Sequence, residues 1–252
     1  MTAAPKEAGC GTASALDGRT CVVTGASSGI GRAIAVALAT AGATVWAVAR
    51  RTDELQETAA LARGTGHIEL YSADLSVDAH VGSLAGELGR RAEGVDVLVH
   101  SAGAYLRAPV RTAPVADLDQ QYRINLRTPY LLTQALLPAL RARRGHIVFI
   151  NSTVVFSVAE TVSQFAATQH ALRSFADTLR QEVNSDGIRV VSVYPGRTAT
   201  ARQARIHALE GKPYAPERLL QADDVADVVL KILTVPPTVE ITDVRLRPTL
   251  KS

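Results

Sequence analysis

The sequence predicts a single α/β domain in which a parallel sheet is covered by helices on both faces, the doubly wound arrangement. The first observation is an alternation of near-continuously apolar runs with helical patterns, which is typical of parallel strands buried on both faces. The second is a glycine-rich turn at residues 25–31, directly after the first apolar run. The third is composition, since 252 residues with 47% hydrophobic and 20% charged residues suit one domain with a large core.

Seven apolar runs are the predicted strands, and they lie at residues 21–23, 44–48, 68–71, 95–99, 147–150, 190–193 and 241–246. The predicted helices lie at residues 33–38, 52–63, 77–91, 130–140 and 165–183, with a further helix from a cap at Asp223 and Asp224 to Leu233. No repeat or linker divides the chain. We therefore place one domain on residues 18–252, after a leader at residues 1–17 that is expected to be disordered.

Charge and cysteine content argue against several other classes of protein. The net charge of +3 is spread thinly over the sequence. The basic run at residues 141–144 precedes Gly145 at a predicted helix end, where the helix dipole stabilises cations, so it indicates a solvated helix end rather than a nucleic-acid site. No stretch approaches the roughly 20 apolar residues of a membrane span, and no signal-like segment begins the chain, so we expect a cytoplasmic protein. Cys10 and Cys21 provide neither a disulfide framework nor metal-ligand spacing.

The glycine-rich turn predicts a diphosphate site. Residues 22–31 read V-V-T-G-A-S-S-G-I-G, with Gly25, Gly29 and Gly31 at the spacing G-x-x-x-G-x-G before a helical pattern. Glycines allow a sharp turn and a close approach of phosphate to the backbone N–H groups of a helix N-terminus. The alternative is a strand-to-helix turn without a ligand. The residues expected at the cofactor here are Gly25, Ser27, Ser28, Gly29, Ile30 and Gly31.

Two arginines after the second strand favour NADP over NAD. An acidic residue about 20 residues after the glycines would hold the ribose 2′-hydroxyl of NAD, but this chain has Arg50 and Arg51, which suit a 2′-phosphate. The alternative is that one or both arginines only begin a solvated helix. Asp74, followed by Leu75 after the third strand, is placed to reach an adenine amino group, although an aspartate there is also an ordinary cap.

Six motifs in order resemble the short-chain dehydrogenase/reductase family, over essentially the whole chain beyond the leader. They are T-G-A-S-S-G-I-G at 24–31, D-L at 74–75, S-A-G at 101–103, I-N-L at 124–126, I-N-S at 150–152 and Y-P-G-R-T-A-T at 194–200. The resemblance implies a Rossmann fold, a homo-oligomer such as a dimer or tetramer, and a small-molecule substrate. It also implies further cofactor-binding residues, namely Ala102, Gly103, Pro195, Gly196, Thr198 and Thr200.

The same resemblance implies a hydride-transfer site made of an asparagine, a serine, a tyrosine and a lysine. Asn125 and Ser152 match the first two, but Phe165 stands at the tyrosine position and Gln169 at the lysine position. The pattern Y-x-x-x-K occurs nowhere in the chain. Phenylalanine has no proton to transfer, and glutamine can still donate to a ribose hydroxyl but has no charge that would lower a pKa. Since a positioned acid or base contributes about 10²–10⁴ in rate, ordinary carbonyl reduction by the usual relay is expected to be crippled.

Other residues are weighed as sources of the proton. Glu160 lies in the loop between Ser152 and Phe165, where partial desolvation would make it a candidate acid, and Tyr105 borders the same mouth. His170 is turned about 100° from Gln169 on the helix and is expected to face elsewhere. Residues 201–220 mix charge, glycine and proline and are expected to form a substrate lid.

Three functions stay open at this point. The first is an enzyme with non-standard chemistry on a small organic substrate, in which Ser152 and Asn125 polarise an oxygen during reduction of an activated C=C bond or imine, isomerisation or cyclisation. The second is a catalytically silent partner subunit that pairs through residues 130–140 and 165–183, or an inactivated variant. The third is an NADP-dependent carbonyl reductase with a substitute acid such as Glu160. The apolar residues 154–158 indicate a hydrophobic substrate wall or simple loop packing.

Overall fold

Seven strands form one fully parallel sheet, in the order β3-β2-β1-β4-β5-β6-β7. The computed structural model describes residues 15–157 and 159–250. The strands are β1 (Thr20–Thr24), β2 (Thr44–Ala49), β3 (His67–Ser72), β4 (Val97–His100), β5 (His146–Ile150), β6 (Arg189–Pro195) and β7 (Asp243–Leu246). The predicted doubly wound sheet is confirmed, with β4 and β7 each beginning two residues later than the apolar runs suggested.

The helices connect successive strands. They are α1 (Gly29–Thr40), α2 (Thr52–Leu61), α3 (Asp78–Arg91), α4 (Val115–Tyr122), α5 (Thr128–Arg143), α6 (Ser163–Val183), α7 (Ala201–Leu209) and α8 (Ala222–Leu233). The sequence pattern missed α4, the π-helical turn at Arg123–Arg127 and α7 within the expected lid. It also misplaced the cap of α8, because Gln221 is the N-cap and Asp224, in the first turn, bonds back to the Gln221 N–H.

Alternate residues of the strands pack into two cores, one on each face of the sheet. Cys21 and Val23 of β1 face a core that α1 and α8 cover, whereas Val22 faces a core that α3, α5 and α6 cover. Burial raises the pKa of the Cys21 thiol, so the side chain behaves as a small apolar group.

The packed domain begins earlier than expected. Leu16, which the sequence analysis placed in the leader, is 4% exposed and belongs to the core under α1. Its N–H donates to the Ala41 carbonyl at 2.9 Å, which ties this segment to the end of α1. Residues 1–14 of the expected leader and Cys10 lie outside the described residues.

The strand order determines where a ligand can bind. β1 and β4 are neighbours in the middle of the sheet, and the chain winds outward from them in opposite directions. In open sheets of this kind, ligands bind in the crevice outside the carboxyl ends of the strands at this switch point. No helix in residues 15–157 and 159–250 has the length and apolar character to cross a bilayer.

Candidate cofactor cleft and active site

The turn after β1 has no room for side chains at two of its glycines. Gly25 has φ of +70°, and a Cβ there would lie 2.8 Å from the Cα of Ala102. A Cβ on Gly31 would lie 2.3 Å from the Gly25 carbonyl oxygen. The turn is therefore formed by close backbone approach, which only glycine permits.

The N-terminus of α1 has no side-chain cap. Ser28 is its N-cap, with φ of −162° and ψ of 164°, and its side chain makes no capping hydrogen bond. The first turn of α1 contains no acidic residue. Backbone N–H groups without a capping side chain, at the positive end of a helix dipole, are suited to an anion such as a diphosphate. Ser27 is buried beneath this turn, and the Ile30 side chain packs against the core.

Thr24 joins the two central strands at the cleft, a role that the sequence analysis did not assign. Its buried hydroxyl donates to the Val99 carbonyl at 3.2 Å. The same oxygen accepts the N–H groups of Ser101 and Ala102 at 3.0 and 3.1 Å. Thr24 thus fixes the backbone of the S-A-G segment against the glycine turn.

The two arginines after β2 differ in their contacts. Arg51 forms an ion pair with Glu54 at 2.5 Å, on the first turn of α2. Arg50 is exposed, and its guanidinium forms no hydrogen bond or ion pair with the residues that the structure describes. The structure therefore separates a guanidinium available to a phosphate from one already engaged in a helix-start ion pair.

Asp74 makes a local turn and keeps one oxygen available. Its Oδ1 accepts the N–H of Ser76 at 3.0 Å and its hydroxyl at 2.7 Å, and these hydrogen bonds lower the pKa of the carboxyl group. The ordinary capping interaction that the sequence allowed is thus present, while Oδ2 can still accept from a ligand. Leu75 is buried, and its carbonyl accepts the Thr128 hydroxyl.

The start of the expected lid lies across the cleft. The Thr200 methyl group is 3.1 Å from the place of a Cβ on Gly29, and the Thr200 hydroxyl caps α7. Arg202 of α7 donates to the Gly103 carbonyl at 2.6 Å, a contact that sequence reasoning missed. The lid therefore faces both the glycine turn and the S-A-G segment.

The other residues expected near the nicotinamide side are engaged within the turn after β6. Pro195 is the buried last residue of that strand, and the Gly196 N–H donates to the Leu246 carbonyl. Thr198 is 5% exposed and donates its hydroxyl to the Gly196 carbonyl. The Thr198 side chain thus stabilises the turn rather than facing the cleft freely.

Ser152 follows the end of β5, and α6, which carries Phe165 and Gln169, is tied to that end by a hydrogen bond of 3.2 Å from the Asn151 side chain to the Gln169 carbonyl. Ser152 accepts the Val154 N–H on its Oγ at 3.2 Å, so the hydroxyl proton stays free to be donated. Phe165 and Gln169 are one turn apart on α6, and residues with that spacing share a helix face. Gln169 is 5% exposed, and its side-chain amide makes no hydrogen bond within the described part of the chain.

Asn125 supports the pocket instead of polarising a substrate. It lies in the π-helical turn and is 2% exposed. Its Oδ1 accepts the Ala104 N–H at 2.8 Å, and its Nδ2 donates to the Ala104 carbonyl and the Thr168 hydroxyl, both at 3.0 Å. Because both N–H donors are used, the expectation that Asn125 donates to a substrate oxygen is wrong for this arrangement, and the residue positions the β4 loop against α6.

The candidate substitute acids differ in environment. Glu160 is exposed, so the desolvation that would make it a useful acid is absent. His170 is also exposed, as expected from its place on the helix. Tyr105 is half-buried, its ring meets that of Phe165 edge to face at 4.9 Å between centroids, and burial raises the pKa of its hydroxyl. Of these three residues, only Tyr105 is in contact with Phe165.

The apolar loop at residues 154–158 is at least partly loop packing. Val155 is buried, and the Phe156 ring packs against Tyr194 at 4.9 Å, with the guanidinium groups of Arg173 and Arg245 over it. Val158 lies outside the described residues. Phe156 therefore takes part in packing beside β6 while 37% of it stays exposed.

Comparison with known proteins gives a consistent result. The chain matches the short chain dehydrogenase family over residues 19–210. It belongs to that family. An uncharacterized oxidoreductase of Staphylococcus epidermidis is 31% identical over 228 residues, which cover 90% of this chain and 96% of the relative.

Two solved structures of similar proteins carry NADP. A metagenomic short-chain oxidoreductase in complex with NADP is 31% identical, with a TM-score of 0.80 and coverage of 94% of this chain and 100% of that one. A Beutenbergia cavernae protein, provisionally assigned as an NAD(P)-dependent gluconate 5-dehydrogenase, has bound NADP at low occupancy. It is 33% identical, with a TM-score of 0.82, and the match covers 91% of this chain and 95% of that one.

The structure brings three of the predicted segments into contact. The glycine turn lies against the S-A-G segment at Ala102 and against Thr200, and Arg202 reaches Gly103. Phe165 and Gln169 lie together on α6. Glu160 does not join them as a buried group. Within the described residues, no group of three or more histidine, cysteine or acidic side chains has the arrangement of a metal site.

Proposed function

We propose that this oxidoreductase uses NADP(H) on a small organic substrate, by chemistry that does not depend on a tyrosine and lysine pair. One observation carries the proposal: the glycine turn and the uncapped N-terminus of α1 are retained, whereas Phe165 and Gln169 on α6 occupy the positions that the resemblance gives to the acid and its cation. Reduction of an activated C=C bond or imine fits best. Isomerisation or cyclisation needs still less proton transfer from a side chain at position 165.

The residues of the cleft support NADP(H) as the cofactor. The open N-terminus of α1 and the glycine turn would hold the diphosphate, and Arg50 would bind the 2′-phosphate. Gln169 is 5% exposed, and its amide makes no hydrogen bond in the described chain, which suits donation to a ribose hydroxyl. When bound, NADPH supplies a hydride to the substrate.

Ser152 would orient and polarise the substrate. Its hydroxyl proton is free to bind a carbonyl or equivalent oxygen conjugated to the reacting C=C bond. Reduction of the C=C bond would need a hydride at the β-carbon, which bound NADPH would supply, and a proton at the α-carbon, which water would supply. No side chain at position 165 has to protonate a full alkoxide in such a reaction, which is why phenylalanine is compatible with it.

A second candidate is carbonyl reduction with Tyr105 as the acid. Its ring contacts that of Phe165 edge to face at 4.9 Å between centroids. Burial keeps the phenol protonated, as a proton donor in the reducing direction must be. Among the groups considered in place of the missing tyrosine, this observation favours Tyr105 over Glu160. Tyr105→Phe would then abolish ketone reduction while Glu160→Gln would not.

The first experiment is calorimetric titration of the protein with NADPH and NADH. Calorimetry is preferable to tryptophan quenching because Trp46 is only 4% exposed and packs against Tyr71 and Arg91. We expect NADPH to bind more tightly than NADH. Absence of binding by both would overturn the proposal and favour the catalytically silent partner subunit.

The second experiment tests the chemistry with a matched pair of substrates. We expect NADPH oxidation with 2-cyclohexenone and little with cyclohexanone, and we expect Phe165→Tyr with Gln169→Lys to gain cyclohexanone reduction by about 10²-fold or more. The two single variants serve as controls, since neither restores the complete pair. Rapid cyclohexanone reduction by the unaltered protein would instead support the Tyr105 mechanism.

A further inference from the structure

A single carboxylate at the end of the lid helix holds three cations together. Glu210 accepts Arg107 on Oε1 at 2.9 Å, and Arg197 and Lys212 on Oε2 at 2.8 and 3.2 Å. Partial burial opposes ionisation, but hydrogen bonds from Arg197, Lys212 and Arg107 lower the pKa of Glu210 to about 2. We refer to these four residues as the rim cluster.

The rim cluster carries a surplus of positive charge. Its three cations form no ion pair with any carboxylate other than Glu210 in the part of the chain that the structure describes. The Arg107 and Arg197 side chains are only 22% and 30% exposed, so solvent screens them less than it screens free surface arginines. A second anion beside Glu210 would therefore be attracted to this place.

The rim cluster adjoins the pocket of the proposed reaction. Arg107 donates to the Thr161 hydroxyl from Nε at 3.0 Å and from Nη2 at 2.7 Å, and Thr161 precedes α6 in a left-handed conformation with φ of 68°. Tyr105 lies two residues before Arg107, and its ring meets that of Phe165 edge to face at 4.9 Å between centroids. The short segment from Tyr105 to Arg107 thus connects the charged rim with the Phe165 ring.

We propose that the rim cluster is a subsite for the carboxylate of the substrate, which makes the substrate an organic acid with an apolar body. This inference rests on the proposed function and names the substrate class of that same pocket. The apolar body would lie against the rings of Tyr105 and Phe165, and the carboxylate would bind Arg107 and Arg197. Planar guanidinium groups match a carboxylate with paired, charge-assisted hydrogen bonds.

Glu210 has a defined part in this proposal. In the free protein its carboxylate occupies the cations that the substrate carboxylate would bind. The two anions compete for Arg107 and Arg197, so removing the charge of Glu210 should tighten binding of an acid. A purely structural ion-pair network predicts the opposite, because loss of Glu210 would loosen the lid and weaken any ligand beneath it.

The experiment compares benzoylformate with its neutral counterpart, benzoylformamide, by calorimetry. Both probes are titrated into the protein saturated with NADP⁺ and into the protein without it. The variants are Arg107→Gln, Arg197→Gln and Glu210→Gln, with Arg111→Gln as the matched control, because Arg111 is an exposed arginine on the same segment between β4 and α4. Thermal unfolding and NADPH titration are measured for every variant.

We expect the unaltered protein to prefer the acid over the amide. Arg107→Gln and Arg197→Gln should each increase the Kd of the acid about tenfold and leave the Kd of the amide unchanged. Glu210→Gln should decrease the Kd of the acid about fivefold. Arg111→Gln should change neither. The acid preference should fall as salt rises.

Two results would overturn the subsite. One is equal or absent binding of acid and amide to the unaltered protein, and the other is weaker acid binding by Glu210→Gln. Failure of the proposed cofactor would be recognised separately, as absence of NADPH binding in the same set of titrations. The acid and amide comparison in the cofactor-free protein would still decide the subsite, since no residue of the rim cluster belongs to the glycine turn.

Discussion

Replacing Arg50 by glutamine is expected to remove the preference for NADPH over NADH. The Arg50 guanidinium is exposed and makes no hydrogen bond or ion pair in the described chain, whereas Arg51 is held by Glu54 at 2.5 Å. Charge-assisted hydrogen bonds contribute about 1.5–3 kcal/mol. Because Arg50 is exposed and screened, the lower end applies, which corresponds to about a tenfold increase in the Kd of NADPH. The Kd of NADH should not change, since NADH has no 2′-phosphate.

Calorimetric titration of both cofactors into both arginine variants tests this reasoning. Arg51→Gln is the matched control, and it should change either Kd by less than about twofold. The Arg50 effect should also diminish in high salt, because the interaction is screened at an exposed site. Equal losses for NADPH and NADH, or a larger effect of Arg51→Gln, would show that the 2′-phosphate is not bound by Arg50.

Three further predictions concern stability. Gly31→Ala should unfold at a much lower temperature or fail to fold, since its Cβ would lie 2.3 Å from a carbonyl oxygen. Gly82→Ala is the control on α3, where the space around the glycine is open, and should raise the free energy of unfolding by about 0.5–1 kcal/mol. Thr24→Val should lower the free energy of unfolding in urea by about 1–3 kcal/mol and weaken NADPH binding, because two backbone N–H groups lose their acceptor. Thr24→Ser should keep the stability and the NADPH binding of the unaltered protein. Burial lowers the pKa of His100 to about 3 and of His146 to about 4, so protonation near pH 6.5 favours the unfolded chain. The free energy of unfolding should therefore be fully retained only above about pH 7.5 and fall as the pH decreases, with a slope that approaches about 2.7 kcal/mol per pH unit near pH 5; a flat profile between pH 6.5 and 5 would contradict the burial of neutral imidazoles.

The strands were predictable because each one is buried on both faces and reads as a continuous apolar run. Elements that depend on tertiary contacts were not. The helix α4 is only eight residues long and its buried residue is the polar Gln121, so it presents no apolar face, and the place of the π-helical turn is fixed by contacts such as that of the buried Asn125 with Ala104. Leu16 is one apolar residue in a polar stretch, so only its packing under α1 reveals that the domain includes it.

The candidate site was predictable where local backbone geometry determines it. The glycine spacing specifies the turn, and positions 165 and 169 share a helix face by spacing alone. Contacts between distant segments left no such pattern: Arg202 reaches Gly103 across 99 residues, and Arg107 reaches Glu210 across 103. For the same reason, the exposure of Glu160 could not be read from its place in a loop.

The contacts that hold α6 also explain why positions 165 and 169 can change chemistry without changing the fold. The Asn151 side chain binds the backbone carbonyl of Gln169 at 3.2 Å, and Asn125 binds the Thr168 hydroxyl at 3.0 Å. Neither contact uses the side chain of Phe165 or Gln169, so the helix keeps its position whatever those side chains are. Phe165→Tyr with Gln169→Lys should accordingly melt within a few degrees of the unaltered protein, and a gain in ketone reduction would then report chemistry alone. A much lower melting temperature would instead mean that the pocket has adapted its packing to the phenylalanine and the neutral amide.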